Sequence, residues 1–344
     1  MGDWHMARED RVLVTGGAGY IGSHTCKALR HAGFAPVVYD NLSRGNVEAV
    51  KWGELVVGDL ADGVLLRETI VRHRPRAVVH FAALAYVGES NENPAAYYRN
   101  NVGGTAELLS AMHECNMRHI VLSSSCAVYG VLRVVPISED NPFEPVNPYG
   151  ATKMVCELML RDCAAATTLT FMALRYFNAA GADPEGQIGE CHVPETHVIP
   201  LLLDAAAGDA DAFTVFGDDY PTADGTCIRD YVHVTDLADA HVRALQDLLG
   251  SGRSASVNVG TGRGWSVRQL IDIARKVTGR DIPIRFGARR PGDPPELVSD
   301  PALARARLGW SARYADVADQ VAHAWAWRQG RRRTFKRAQA LVGE

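Results

Sequence analysis

The 344-residue chain is 47% hydrophobic and 22% charged, the balance of an ordinary globular protein with ample material for a core. Its net charge of -4 speaks against a general attraction to nucleic acid, and no apolar run reaches membrane-spanning length. The seven scattered cysteines, without a C-x-x-C pair, read as reduced thiols of a cytoplasmic protein.

Residues 1–9 read as a loose polar tail, with Met6 as an alternative start and no signal-peptide order. Arg11–Val14 is a short apolar strand that runs into Thr15-Gly16-Gly17-Ala18-Gly19-Tyr20-Ile21-Gly22. A helix over Ser23–His31 stops at Gly33, and a second strand ends at Asp40. Strand and helix then alternate. Strands are expected at Leu55–Val57, Ala77–Phe81, His119–Ser123 and Leu169–Leu174. Helices are expected at Val64–Arg72, at Pro94–Cys115 as one long element, and from Pro148 to Ala166. Six strands alternating with helices predict a doubly wound parallel Rossmann sheet with right-handed crossovers.

After Asn178 the rhythm breaks. Residues 179–230 are rich in Gly, Pro and Asp with few regular elements. Short segments follow: Asp230–Val234, a helix at Thr235–Leu249, Ser256–Val259, a helix at Val267–Thr278, a strand at Ile282–Phe286 and a helix near Tyr314–Arg328. The expected division is a nucleotide-binding domain over 10–178, to which later segments return, and a smaller C-terminal α/β substrate lobe over 179–330, with a ligand cleft between them. The basic run Arg328–Arg337 reads as a solvated tail.

Gly16, Gly19 and Gly22 lie between a strand and a helix, where glycines permit a sharp turn, close approach of a pyrophosphate and tight helix packing. The helix N-terminus adds free N–H groups and a partial positive charge. Asp40 lies 18 residues beyond Gly22 at the end of the second strand. Its carboxylate can accept from two ribose hydroxyls and would repel a 2′-phosphate, which selects NAD over NADP. Asp59, ending the third strand, suits the adenine edge or a plain turn.

Tyr149 and Lys153 are four apart and share one helix face. An ammonium beside a phenol favours phenolate, giving a proton-transfer group usable near neutral pH, although the spacing alone also fits an exposed helix face. None of the twelve His forms H-E-x-x-H or pairs with clustered Cys. His192 and His197 fall in a loop and read as substrate or surface residues, and no metal is expected.

Taken in order, these blocks resemble the extended short-chain dehydrogenase/reductases, and within them the UDP-glucose (UDP-galactose) 4-epimerases. The resemblance covers residues 11–328. It rests on Val14–His24, Tyr39-Asp40-Asn41-Leu42, His80-Phe81-Ala82-Ala83, Val87-Gly88-Glu89-Ser90, Asn100-Asn101-Val102, Ser123-Ser124-Ser125, Val128-Tyr129-Gly130, Pro148-Tyr149-Gly150 with Lys153, Arg175-Tyr176-Phe177-Asn178, Gly181-Ala182, Phe216-Gly217, His233 and Asp236-Leu237-Ala238. Its most specific part is Tyr220-Pro221-Thr222, Asp224-Gly225-Thr226 and Arg229-Asp230-Tyr231.

The resemblance implies an NAD-dependent isomerase acting at C4 of a UDP-sugar through a 4-keto intermediate. It implies that Tyr149 is the general base, that Lys153 holds the nicotinamide ribose and lowers the Tyr149 pKa, and that Ser125 bonds the same sugar oxygen. Further cofactor contacts are implied at Tyr20, Ile21, Asn41, Leu60, Phe81, Ala82, Ala83, Asn100, Ser123 and Tyr176. Substrate contacts are implied at Ala127, Asn178, His197, Val198, Thr214, Phe216, Arg229, Arg290 and Asp293. The two arginines would neutralise the diphosphate, Asp293 would take the uridine ribose and Phe216 would lie near the uracil. A homodimer is implied as well.

The chain departs from some relatives at Ala85, where they carry a phosphate-binding Lys. It also departs at Ala127 in place of Thr and at His197 in place of Asn. Leu297, of intermediate bulk, stands where sugar size is gated. These leave UDP-hexose, UDP-N-acetylhexosamine and UDP-pentose open. A dehydratase is disfavoured because Cys126 and Ala127 replace its acid/base pair. A non-catalytic NAD-binding protein is disfavoured because Tyr149, Lys153 and Ser125 are all present.

Overall fold

The computed structural model describes residues 10–131, 134–290 and 292–342. The tail at 1–9 lies outside the described residues, as do the side chains of the basic run beyond Arg331. In chain order the elements are β1 (Asp10–Thr15), α1 (Tyr20–His31), β2 (Phe34–Asp40), β3 (Glu54–Val57), α2 (Gly63–His73), β4 (Ala77–His80), α3 (Val87–Glu92), α4 (Pro94–Tyr97), α5 (Gly104–Glu114) and β5 (His119–Ser125). Then come α6 (Pro148–Ala166), β6 (Thr170–Tyr176), β7 (Asn178–Ala180), α7 (Val198–Ala207), β8 (Phe213–Phe216), β9 (Ile228–His233), α8 (Val234–Ser251) and β10 (Ala255–Val259). The chain closes with β11 (Gly264–Ser266), α9 (Val267–Thr278), β12 (Ile284–Gly287), β13 (Glu296–Leu297), α10 (Ala302–Leu308) and α11 (Val317–Val342).

A seven-stranded sheet has the order β10-β6-β5-β4-β1-β2-β3, one strand more than the six expected. The addition is β10, so the short Ser256–Val259 segment joins this sheet beside β6. Neighbours β1, β2, β3, β4 and β5 pair in parallel, and every residue of β2 and β4 is buried, as a sheet covered on both faces requires. The order reverses between β1 and β4, the topological switch point at whose strand ends α/β sheets bind ligands.

The expected long helix over 94–115 is interrupted. A π-helical stretch, Tyr98–Gly103, separates α4 from α5. Asn100 and Asn101, poor helix formers, fall inside it. The 179–230 region is more regular than its composition suggests, because α7 buries Ile199, Leu202 and Leu203.

The chain divides into two compact units. The first comprises the chain up to Ser124, Pro148–Leu174 and Ala238–Ser256. Its core joins Leu13, Val78, Ile120 and Phe171 of the strands to Leu66, Leu108, Met112 and Leu160 of the helices. The second comprises Ser125–Asn147, Arg175–Leu237 and the chain from Val257 on. Within it β9 is central: β11 pairs with it antiparallel, while β13 and β7 pair with it in parallel. A separate parallel pair joins β8 and β12. The core of the second unit gathers Leu202, Leu203, Val215, Tyr231, Leu270 and Val321. Its α9 opens on a capping box in which Ser266 and Gln269 exchange side-chain and backbone hydrogen bonds.

Candidate active site

In the first unit, β1 feeds the glycine loop directly into α1. Gly16 has φ +72, and a Cβ there would lie 2.5 Å from Ala82 N, so the loop lies against the backbone that follows β4. A Cβ on Gly22 would lie 2.2 Å from Gly16 O, which keeps the start of α1 tight on the loop. Gly19 is the N-cap and has no side-chain cap bond, and the first turn of α1, with Tyr20 and Ile21, carries no acidic residue. N–H groups at a helix start with no carboxylate beside them suit a pyrophosphate.

Asp40 ends β2 and is 7% exposed. Ala18 N donates to its Oδ2 at 3.0 Å and Leu42 N to its Oδ1 at 2.8 Å. Each oxygen keeps a second lone pair for a ribose hydroxyl. Burial raises the Asp40 pKa, and the two backbone N–H bonds oppose that rise. Gly45, which the sequence reading passed over, lies against this carboxylate: a Cβ there would be 2.9 Å from Asp40 Oδ1. Asp59 is exposed and accepts from Ala61 N at 2.9 Å and from Asn41 Nδ2 at 2.7 Å, so both its oxygens already organise the turn. Leu60 is buried behind it. Phe81, Ala82 and Ala83 are half-buried after β4. These features fit a dinucleotide whose pyrophosphate faces α1 and whose ribose faces Asp40.

Pro148 opens α6, and Tyr149 lies in its first turn, 7% exposed. Lys153 is buried, donates from Nζ to Ser123 O at 2.8 Å, and lies 6.0 Å from the centre of the Tyr149 ring. Burial lowers the Lys153 pKa, while Cys156 and Glu157 act in the opposite direction. Close by, His80 contacts Thr15 Oγ1 at 2.7 Å through Nδ1 and Thr105 Oγ1 at 3.1 Å through Nε2. Thr105 gives its own proton to Asn101 O, so His80 donates at Nε2 and accepts at Nδ1. Burial and the Lys153 charge push the His80 pKa down to about 3, which keeps the ring neutral beside that ammonium.

Two positioning groups of the first unit carry no role in the sequence analysis, Glu157 being unmentioned there and Asn101 appearing only within a motif. Glu157 is fully buried one turn after Lys153 and accepts from Ser124 Oγ at 2.6 Å and Ser256 Oγ at 3.0 Å, tying the end of β5 to α6. Asn101 donates to Leu84 O and to Thr152 Oγ1, each at 3.0 Å, and accepts from Leu84 N at 2.8 Å. It thereby joins the chain after β4 to α6, whereas Asn100 is half-buried and donates to Asn101 Oδ1 at 3.0 Å. The signal was the Asn-Asn pair inside a predicted helix, and π-helical stretches often mark functional positions.

The second unit holds the residues expected at the substrate. Ser125 is 8% exposed and its Oγ accepts from Ala127 N at 3.2 Å. Arg229, on β9 and 7% exposed, donates from Nη1 to Ile228 O at 2.7 Å and forms an ion pair with Asp293. Two groups expected to take different parts of the substrate are thus partners of each other here. Arg290, on the exposed loop after β12, lies with its guanidinium carbon 4.1 Å from the centre of the Phe216 ring, a cation–π pair on the face expected at the uracil. Tyr176, Asn178 and Thr214 are half-buried on β6, β7 and β8. His197 is the N-cap residue of α7, Val198 begins that helix, and His197 Nδ1 hydrogen-bonds Glu190. Leu297 on β13 pairs in register with Arg229.

The motifs that carried the resemblance also have structural employment in this unit. Asp230 is fully buried and accepts from Thr261 N, Thr261 Oγ1, Gly262 N and Ser299 N, at 2.6 to 3.2 Å. Asp224 accepts from Thr226 N at 2.9 Å and hydrogen-bonds Ser266 at the start of α9. Arg175 donates to Tyr129 OH at 2.7 Å, which donates to Asn258 Oδ1 at 2.7 Å.

The sequence matches the family described as "NAD dependent epimerase/dehydratase family" over residues 12–260. It is 52% identical over 324 residues to the UDP-glucose 4-epimerase of Rhizobium meliloti (strain 1021), covering 94% of this chain and 98% of that protein. The crystal structure of UDP-glucose 4-epimerase from Brucella ovis in complex with NAD superposes with a TM-score of 0.90 at 54% identity, over 92% of this chain and 98% of that one. A UDP-glucose-4-epimerase from Stenotrophomonas maltophila, with bound NAD and formylated UDP-arabinopyranose, gives 0.92 at 40% identity, over 95% and 100%.

Proposed function

Because this chain belongs to the NAD dependent epimerase/dehydratase family, we propose that it inverts C4 of a UDP-hexose, interconverting UDP-galactose and UDP-glucose. The observation that carries this reading is the Tyr149–Lys153 pair on α6, with the ammonium fixed on Ser123 O at the end of β5. The glycine loop at Gly16–Gly22 and Asp40 would hold NAD, which would supply reversible hydride transfer at C4 of the sugar through a 4-keto form. Tyr149 takes the proton of the 4-hydroxyl and gives it back. Lys153 stabilises the phenolate and holds the nicotinamide ribose, and Ser125 bonds the reacting oxygen. Arg229 and Arg290 neutralise the diphosphate, Asp293 takes the uridine ribose and Phe216 lies near the uracil. For the arginines and their partners this reading entails exchange of the Arg229–Asp293 and Arg290–Phe216 contacts when the nucleotide enters.

A dehydratase would need an acid/base pair at Cys126 and Ala127. Burial pushes the Cys126 thiol up to about 12, and alanine carries no proton, so this strand end cannot eliminate water. We further propose a cytoplasmic homodimer. The family resemblance supports the dimer, and the seven cysteines, none in a disulfide among the described residues, support a reducing compartment. Among the described residues, no helix is long and apolar enough to cross a membrane.

The test is conversion of UDP-galactose to UDP-glucose by the purified chain. Turnover without stoichiometric consumption of added NAD is expected. Net accumulation of NADH, or release of a dehydrated sugar, would overturn the reading. Kinetics with UDP-galactose, UDP-N-acetylgalactosamine and UDP-xylose, compared by kcat/KM, rank the substrates, with UDP-galactose expected first.

A further inference from the structure

Glu190, His192, Glu195 and His197 fall within eight consecutive residues of the second unit, spaced E-x-H-x-x-E-x-H. Each offers one donor atom, and these atoms all lie within 4.8 Å of one another. His192 Nδ1 is 2.9 Å from Glu190 Oε1 and 3.9 Å from Glu195 Oε1, and His197 Nδ1 bonds the same Glu190 oxygen. Two imidazole nitrogens and two carboxylates therefore converge on one point. From this convergence we propose that the loop before α7 is a structural site for a divalent transition metal, with Zn2+ as the best match.

The donor chemistry favours that class of ion. Two nitrogens and two oxygens make a borderline set for a four-coordinate Zn2+. An all-oxygen shell, as Mg2+ or Ca2+ prefers, is not offered. With both imidazoles neutral, two carboxylates cancel the charge of a dication. The shell is also held in place by the chain around it. Glu195 Oε1 accepts from Thr196 N at 2.7 Å and from His197 N at 2.9 Å, which fixes that carboxylate. The Glu190 side chain is 7% exposed, and its backbone oxygen accepts from Trp327 Nε1 at 3.2 Å on α11. Gly189 lies against the same indole. Four protein ligands with no open position make a structural site, and the hydride chemistry needs no ion here. The ion would anchor the loop to the N-terminus of α7, whose apolar face belongs to the core of the second unit.

The experiment titrates Zn2+ alone into chelator-treated full-length protein by calorimetry, with Mg2+ and Ca2+ as comparisons. One Zn2+ per chain with submicromolar affinity is expected, together with a rise in Tm. Co2+ loading should give d–d absorption bands without thiolate charge transfer, because the ligands are nitrogen and oxygen. The double variant H192N/E195Q should bind Zn2+ at least about a hundredfold more weakly while keeping its metal-free circular dichroism. Absence of Zn2+ binding by the folded protein would overturn the proposal and leave an ion-pair cluster. So would affinity that survives the double variant. A thiolate charge-transfer band would place the ion on the cysteines instead. Since the Co2+ spectrum is read on the unmodified chain, it decides the question even if the double variant fails to fold.

Discussion

Asp40 and Arg229 are both charged, both 7% exposed and both assigned to ligand contacts, yet they are held in different ways. Asp40, at the end of β2 in the first unit, is fixed by the backbone N–H groups of Ala18 in the glycine loop and Leu42 just after the strand. Lys153 is likewise fixed by a backbone carbonyl on β5. Arg229, in the second unit, is paired with the side chain of Asp293, and Arg290 covers Phe216. Groups held by strand ends cannot move without disturbing the sheet. Groups held by one another can exchange partners when a ligand arrives. The first arrangement suits chemistry common to every substrate, and the second suits recognition of a variable one.

The largest expected effect tests the fixed half. Tyr149→Phe removes the proposed proton acceptor while keeping the ring, so kcat should fall by about a thousandfold for every sugar tested, with KM little changed. Stopped assays with UDP-galactose and UDP-xylose measure this. A loss confined to one sugar would break the comparison, because it would make Tyr149 a recognition group.

Next is the exchangeable half. Arg229→Met should raise KM for the UDP-sugar by about thirtyfold, the worth of about 2 kcal/mol for a lost charge-assisted contact, with a smaller change in kcat. Combined with Asp293→Asn in a double-mutant cycle on stability, the pair should show a coupling of about 1 to 3 kcal/mol. A coupling near zero would mean that the two side chains are neighbours without being partners.

These contrasts also explain what the sequence could reveal. The glycine loop, Asp40 and the Tyr149–Lys153 pair are legible because each signal is local: a strand, a turn and a helix start within one short run. The pairing of β10 beside β6 was not, since nothing in Ser256–Val259 itself specifies the strand beside it. Arg229 and Asp293 are 64 positions apart, and only the fold reveals that they are partners. Nothing local singles out Glu157 within its predicted helix, because its burial between two serines depends on β5 and β10. The histidines at 192 and 197 matched no regular spacing, because an irregular loop rather than a helix face brings them to the two glutamates.

A smaller effect concerns selectivity. Leu297 is half-buried on β13, in register with Arg229. Leu297→Ala should shift the kcat/KM ratio of UDP-N-acetylgalactosamine to UDP-galactose upward by about tenfold, the usual worth of a few methyl groups in a pocket wall. Unchanged ratios would remove Leu297 from the gate and leave Ala127 as the position to vary.

The smallest effect is a pH dependence that belongs to the first unit alone. His80 is 3% exposed, and its folded-state pKa falls from 6.5 to about 3, through burial and the Lys153 charge. The unfolded chain therefore binds a proton below about pH 6.5 that the native state refuses until about pH 3. Stability from this group is complete above the unfolded pKa and declines as pH falls through it, reaching a loss of about 1 kcal/mol near pH 6. His80→Asn retains a donor and an acceptor for Thr105 and Thr15 but carries no titrating ring. Thermal unfolding of both proteins between about pH 7.5 and 5.5 should therefore converge with falling pH, the wild type losing more. Parallel curves would mean that His80 takes up its proton in the folded state, placing a second positive charge beside Lys153 and breaking the view of the first unit as a rigid, singly charged frame for Tyr149.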